Sequence, residues 1–305
     1  MSNTATVLAF DFGASSGRAI RAVYDGQNLT YEEIHRFENV PIEKDGHLCW
    51  DVETLLKEIH TAIQKAGTFD SLGFDTWGVD FGLLDADGHL LANPVHYRDA
   101  RTNGKPEQAA ACMPAEELYA HTGSQIMAIN TLFQLLALQE QESELLQKAE
   151  QILFMPDLFA ALLGAEPVCE RSIASTSQML DPRTGQWSRE VLTAYGLKEN
   201  HFAPLVASGT VTGTLTTGAK IIAVAGHDTQ CASAAMPCAE EDVEHTAFLS
   251  CGTWSLLGTE LDTPILTADS CQSGLSNELG ANGKINYLKN IIGLWLIQES
   301  RREYK

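Results

Sequence analysis

Three stretches of the chain set chemically active side chains beside glycine. The first is Gly226-His227-Asp228-Thr229, which follows the apolar run Ile221–Ala225. Thr229–Ala235 reads as helix, so Asp228 stands near a helix N-terminus, which keeps a carboxylate ionised. Such a group suits a general base taking a proton from a hydroxyl. The same placement also suits a simple helix cap. The second stretch is Gly13-Ala14-Ser15-Ser16-Gly17, followed by Arg18. Its glycines let the backbone approach a phosphate, Ser15, Ser16 and local amides donate to phosphate oxygens, and Arg18 adds charge. The pentapeptide also fits the G-x-S-x-G of a serine nucleophile elbow. That elbow needs a helix directly after the serine, whereas the residues here read as a strand. A plain Gly/Ser hairpin turn is the third reading. Asp11, at the end of the preceding strand, is placed to hold Mg²⁺ directly or through water, or to be a surface aspartate. The third stretch, Asp75-Thr76-Trp77-Gly78-Val79-Asp80, combines an aromatic ring, a close-approach glycine and carboxylates. It suits a sugar-binding edge, or a buried Trp beside a bulge glycine.

These groups need elements to carry them. Val7–Asp11 reads as a strand, and Arg18–Asp25 alternates as a second one, making a hairpin about the Gly/Ser turn. Asp51 caps a helix whose apolar residues Val52, Leu55, Leu56, Ile59 and Ile63 follow a helical period to Gly67. Strands follow at Ser71–Asp75 and Val79–Asp85, and Asp87-Gly88 turns the chain into Leu90–Tyr97. Arg98–Pro114 reads as a polar loop, in which Tyr97–Arg101 suits an ion-pair cluster. Asn130 is a cap for the next helix, and a further helix starts near Pro156. Ser172–Trp187 reads as loop. Ile221–Ala225 is a short buried strand. After the charged patch Ala239–Glu244, taken as a boundary between two lobes, the opening pattern returns. Ala247–Ser250 is apolar, Gly252-Thr253-Trp254-Ser255 turns, and Leu256–Glu260 continues, which suggests a duplicated unit. Lys289, Asn290 and Gln298 fall on a last helix-like segment.

The 305 residues carry 20 Lys+Arg against 40 Asp+Glu, a net charge of −20, with 44% hydrophobic residues. That is the balance of a globular protein large enough for a real core. The acidic surplus argues against nucleic acid or an anionic membrane as partner, though a bound cation and local amides can still receive a nucleotide. The N-terminus has no basic signal-peptide region, and the apolar runs are too short to span a bilayer. Seven cysteines, an odd number without C-x-x-C spacing, suit reduced thiols in a cytoplasmic protein rather than disulfides or zinc. Neither P-loop nor H-E-x-x-H is present. Nothing in the sequence fixes an oligomeric state.

The order DFGASSGR, DTWGVDF, YRDARTN, MPDLF, AGHDT, SCGTWSL and LKNIIGLWLIQ, spread from Val7 to Gln298, resembles the FGGY carbohydrate kinases. Within the family the likeness is to members that phosphorylate L-rhamnulose at O1 with MgATP, in L-rhamnose catabolism. The resemblance implies an α/β protein with two ribonuclease H-like lobes of the actin/hexokinase type and a cleft between them. It implies Asp228 as the catalytic base. Gly78, His227, Asp228, Thr229 and Asn290 would line the sugar site. Ala14, Ser15, Ser16, Gly17, Arg18 and Thr253 would contact the ATP phosphates, with Gln298 near the nucleotide and Asp11 organising Mg²⁺. Family members continue far beyond the position of Lys305. The expectation is therefore a complete first lobe over residues 1–238 and an incomplete second lobe over 239–305, lacking the adenine pocket. Apolar surface at Leu249–Leu257 and Ile291–Ile297 would then be uncovered and favour self-association. The alternatives are a non-catalytic sugar-binding fragment and a kinase for another ketose, such as xylulose.

Overall fold

The computed structural model describes residues 4–252 and 254–304. Its main sheet has six strands, in the order Thr210–Thr214, Lys220–Ala223, Ser71–Thr76, Ala5–Phe12, Ser16–Tyr24, Leu29–Glu38. The first hairpin forms as its alternation predicts, with Phe10 opposite Ala19 and Asp11 opposite Arg18. Leu8, Phe10 and Phe12 project into the core and are fully buried, as the period of two requires. Leu29–Glu38 is an edge strand whose polar run LTYEEIHRFE carries little apolar alternation, which is why no strand is expected there from sequence. Ala5–Phe12 pairs in parallel with Ser71–Thr76, so the chain must cross over. The crossover includes the helix Val52–Ala66, where Asp51 Oδ1 accepts from the Thr54 amide at 3.2 Å and Val52, Leu55, Ile59 and Ala62 are buried. On the core side Phe10 stacks on Phe74 and Phe12 on the Phe159 ring of the helix Met155–Leu162, each at 4.8 Å between centroids.

A second sheet is wholly antiparallel, in the order Phe248–Cys251, Trp254–Leu261, Ile285–Ile292, Ser276–Leu279. Phe248, Leu256 and Leu288 form a small cluster of their own, while Leu279 and Ile285 join the main core. Between the sheets, the charged patch folds as a short 3₁₀ helix, Glu240–His245.

Four expectations need correction. Lys289 and Asn290 lie on a strand, not a helix. Antiparallel pairing of Ile285–Ile292 with Trp254–Leu261 prevails up to Ile292, and helix begins only at Trp295. Leu90–Tyr97 makes only isolated bridges, Leu84 to Leu90 and Cys49 to Val95, because Pro94 has no amide to donate to a ladder. Arg98–Pro114 contains the short helices Ala100–Thr102 and Lys105–Ala109, the first capped by Asp99. Likewise Ser172–Trp187 holds a helical turn at Arg171–Ala174, a 3₁₀ turn at Ser175–Ser177, and a small strand pair, Leu180–Asp181 with Gln186–Trp187. Asn130 does occupy the cap position of Thr131–Gln141, but its side chain makes no capping bond. It donates instead to the Gln125 carbonyl and to Gln178 Oε1.

Candidate active site

Three strands deliver their ends to one cleft. Ala5–Phe12, Ser71–Thr76 and Lys220–Ala223 run parallel, and ligands in such sheets bind beyond the carboxyl ends of the strands. Asp11 and Asp75 are paired in register. Gly226 and His227 arrive beside Thr76, whose amide donates to the Gly226 carbonyl at 2.8 Å. The cleft encloses about 440 Å³, and Asp11, Ala14, Ser15, Arg18, Gly78, His227, Asp228, Thr229 and Asn290 all line it.

Asp228 opens the helix Asp228–Ala234 as its first residue, not its cap, and 39% of its side chain is exposed to the cleft. Its Oδ1 accepts from the Thr229 amide at 2.6 Å. Enclosure pushes its carboxyl up and Asp11 adds to this, while His227 and the Thr229 amide pull it down. Asp75 is pushed well above the carboxylate range by burial, then by Asp11 and Asp228. His227 Nε2 lies 3.5 Å from Asp228 Oδ1, and its Nδ1 lies 2.8 Å from Glu278 Oε2. Burial alone would lower its pKa, but Glu278, with Asp228 and Asp75 behind it, carries it up to about 9.

The first hairpin turn closes through the Gly13 amide to the Ser16 carbonyl at 2.9 Å, and is braced by Asn39, whose Nδ2 donates to the Gly13 carbonyl. Asp11 is paired with Arg18 across this hairpin, with Arg18 Nε donating at 2.8 Å. Ser16 and Gly17 start the second strand and do not line the cleft; Gly17 is packed under the ring of Phe37. The second hairpin brings Ser250, Cys251 and Gly252 to the same cleft. Two glycine-bearing turns facing one cavity form a donor set that fits the phosphates of a nucleotide. Thr253 lies outside the described residues. Gln298 falls within the helix Trp295–Glu303, and its side chain also lies outside them.

The sugar edge expected at Asp75–Asp80 divides in two. Trp77, Gly78 and Val79 line the cleft, but Asp80 does not. Asp80 is fully buried and accepts from Trp50 Nε1 (2.6 Å), Trp77 Nε1 (3.0 Å), the Tyr97 amide (3.2 Å) and Gln134 Nε2 (2.8 Å). Burial lifts it to about 6 against those four donors. It holds the Trp77 ring and the backbone of Tyr97, both at the cleft wall. Val79, a β-branched residue, has φ +69°, a conformation costing roughly 1–3 kcal/mol and held only where neighbours over-determine it. Here Thr176 Oγ1 accepts from its amide at 3.1 Å and Thr131 Oγ1 donates to its carbonyl at 2.6 Å.

Sequence reasoning missed Gln125, Met127, Ile129 and Glu278, all at the cleft. Gln125 Oε1 accepts from Asn290 at 3.2 Å. Residues 123–130 have no period and Glu278 no motif, so only the folded chain brings them in.

The sequence model of the FGGY family of carbohydrate kinases, N-terminal domain, matches residues 6–234. The chain belongs to the FGGY family of carbohydrate kinases. The rhamnulokinase of Bacteroides thetaiotaomicron is 41% identical over 307 residues, covering 96% of this chain and 63% of that protein. The rhamnulokinase of Enterococcus faecalis is 40% identical over 312 residues, covering 97% and 62%. The chain therefore spans a little under two thirds of the curated relatives it matches. Among solved structures, a ligand-bound xylulose kinase from Lactobacillus acidophilus superposes with TM-score 0.77 at 17% identity, covering 93% of this chain and 59% of that one. A gluconate kinase from the same organism gives 0.78 at 17%, with 94% and 59% covered. The fold is thus that of the FGGY sugar kinases, the actin/hexokinase type, as the motifs imply. No helix among the described residues is long and apolar enough to cross a membrane, and all seven cysteines are free thiols.

Proposed function

We propose that this chain carries the sugar site and catalytic base of an ATP-dependent ketose kinase that transfers the γ-phosphoryl group to O1 of L-rhamnulose, in the cytoplasm, within L-rhamnose catabolism. The observation that supports it most is Asp228, a carboxylate that lines the same cleft as Trp77, Gly78 and two glycine-bearing turns. The lobe boundary falls near residue 239. This is supported by the family match ending at 234 and by the separate apolar cluster beyond it.

Bound MgATP supplies the phosphoryl group and cationic charge for the transfer. Ala14, Ser15 and the Gly252 turn, with Thr253 and Gln298 as further candidates, would hold its phosphates and nucleotide. Asp11 is the candidate for the cation, a carboxylate beside the phosphate turn, in register with Asp75 and paired with Arg18; hard oxygen ligands of this kind suit Mg²⁺. Trp77, Gly78, His227, Thr229 and Asn290 orient the ketose. Asp228 would accept the O1 proton as that oxygen attacks the γ-phosphorus and ADP departs with the β-phosphate oxygen, and its upward shift brings it nearer the working pH of a base. Most of the acceleration comes from positioning and charge stabilisation.

The test is ADP release with MgATP and L-rhamnulose, beside a panel of other ketoses and Asp228→Asn. Loss of the base is expected to cost about 10²–10⁴-fold in turnover, roughly 3–5 kcal/mol, with ketose affinity largely kept. Near wild-type turnover in the variant would remove Asp228 from the role. Ketose binding with no turnover by the parent chain would support a sugar-binding fragment instead.

A further inference from the structure

Behind the candidate base runs a buried polar chain that links the two sheets. Glu278 Oε2 receives His227 Nδ1 at 2.8 Å and Gln230 Nε2 at 2.7 Å. Gln230 Oε1 in turn accepts from Asn286 Nδ2, which also donates to Ser233 Oγ at 2.9 Å. His227, Gln230, Glu278 and Asn286 are all buried, two of them completely. His227 and Gln230 belong to the catalytic turn and its helix, whereas Glu278 and Asn286 stand on the strands Ser276–Leu279 and Ile285–Ile292. No Lys or Arg ion pair to Glu278 occurs among the described residues, and its ion-pair partner is His227. A carboxylate taken out of water needs such a partner, since an uncompensated buried charge costs several kcal/mol.

The arrangement leaves the imidazole little freedom. With Nδ1 bound to Glu278, the ring can rotate neither away from the cleft nor onto its other face without leaving that carboxylate with Gln230 alone and no cationic partner. Its Nε2 is then directed at Asp228, 3.5 Å away. A doubly protonated ring is donor-only at both nitrogens, so Nε2 offers a hydrogen to Asp228 or to a ketose oxygen beside it.

We propose that Glu278 is a positioning residue: it fixes the ring of His227 as a donor towards Asp228 and the ketose, and so ties the geometry of the base to the docking of the 276–292 strands. The proposal rests on the reading of Asp228 as base and of the cleft as a sugar site. It goes beyond that reading by placing part of the control of the base on a different sheet, about 50 residues further along the chain.

The experiment compares the parent chain with Glu278→Gln, which keeps the shape of the side chain and removes its charge. Ketose affinity is read by calorimetry with L-rhamnulose, folding by thermal melting, and the His227 ring by ¹⁵N NMR across pH 6–10, assigned by the signal lost in His227→Asn. In the parent chain the ring should stay doubly protonated to a midpoint of about 9. In Glu278→Gln the midpoint should fall towards the ordinary value near 6.5, and ketose affinity at pH 8 should drop about tenfold or more. A merely structural Glu278 would lower the melting temperature while affinity in the folded variant stayed within about twofold of the parent, which would overturn the proposal. If the variant fails to fold, the parent chain still decides: a ring already neutral at pH 7 overturns the proposal, and one charged at pH 8 supports it. These arms need binding only. A chain that binds ketose without turnover would sink the kinase reading and leave the role of Glu278 measurable.

Discussion

The two hairpins at the cleft share a local design and differ in what stands behind them. Each turns on a glycine whose amide closes the turn: Gly13 to the Ser16 carbonyl at 2.9 Å, Gly252 to the Trp254 carbonyl at 2.8 Å. The first supplies two strands of a six-stranded sheet, with Leu8, Phe10 and Phe12 at 0% exposure. The second rests on a cluster of three buried residues, Phe248, Leu256 and Leu288, and leaves Leu249 and Leu257 exposed by 57% and 46%. A turn sequence therefore specifies a turn, but rigidity comes from the burial behind it. Catalytic positioning should follow the same division, with the first hairpin as the fixed wall of the cleft and the second as the more compliant one.

The largest test of that contrast is Phe12→Ala. Phe12 packs on Phe159 at 4.8 Å and edge-on to Phe37 at 5.3 Å. Truncating a fully buried aromatic should cost about 3–5 kcal/mol in urea unfolding. A loss below about 1 kcal/mol would mean that the core collapses around the gap and that the first hairpin is no stiffer than the second.

The same contrast explains what could be read from the sequence. The first hairpin was legible because Val7–Asp11 and Arg18–Asp25 alternate on either side of a Gly/Ser turn. Asp228 was legible because Ile221–Ala225 ends in Gly-His-Asp-Thr, a strand feeding a helix. The sequence points Asn290 to the site but reads it as helix, where the structure has the strand Ile285–Ile292. The continuous apolar run from Ile291 to Ile297 has no period that separates strand from helix, and only pairing with Trp254–Leu261 decides it. Glu278 carried no local signal at all. Its role arises when residues 48–51 positions apart meet. Asp80 was visible as a carboxylate near Trp77, but its conversion from sugar ligand to buried anchor required knowing that Trp50 and Gln134 close over it.

A middle-sized test compares Ala at Gly17, in the strand that leaves the first turn, with Ala at Gly252 in the second turn. A Cβ on Gly17 would come within 2.2 Å of the Phe37 ring, whereas one on Gly252 would meet, among the described residues, nothing closer than the Trp254 carbonyl at 3.5 Å. Gly17→Ala should destabilise by about 1–3 kcal/mol, the usual cost of overpacking. Gly252→Ala should stay within about 0.5 kcal/mol. Thermal melts of the pair decide it: equal effects would show that the second turn is confined as tightly as the strand that leaves the first.

The smallest stability effect is expected on the outer face of the second hairpin. Leu257 is opposite Leu249 in register, and both are largely exposed. Together with the exposed Ile291, Ile292 and Leu296 they make the apolar surface of this region, of the kind that promotes association. Leu257→Lys removes little buried area, so its unfolding free energy should change by no more than about 0.5 kcal/mol. The added charge should nonetheless weaken concentration-dependent self-association in sedimentation velocity. A loss of several kcal/mol would show that Leu257 is buried in solution, and the second hairpin would then be as well supported as the first. Unchanged stability with unchanged sedimentation would leave the stiffness contrast intact and remove this face as the source of association.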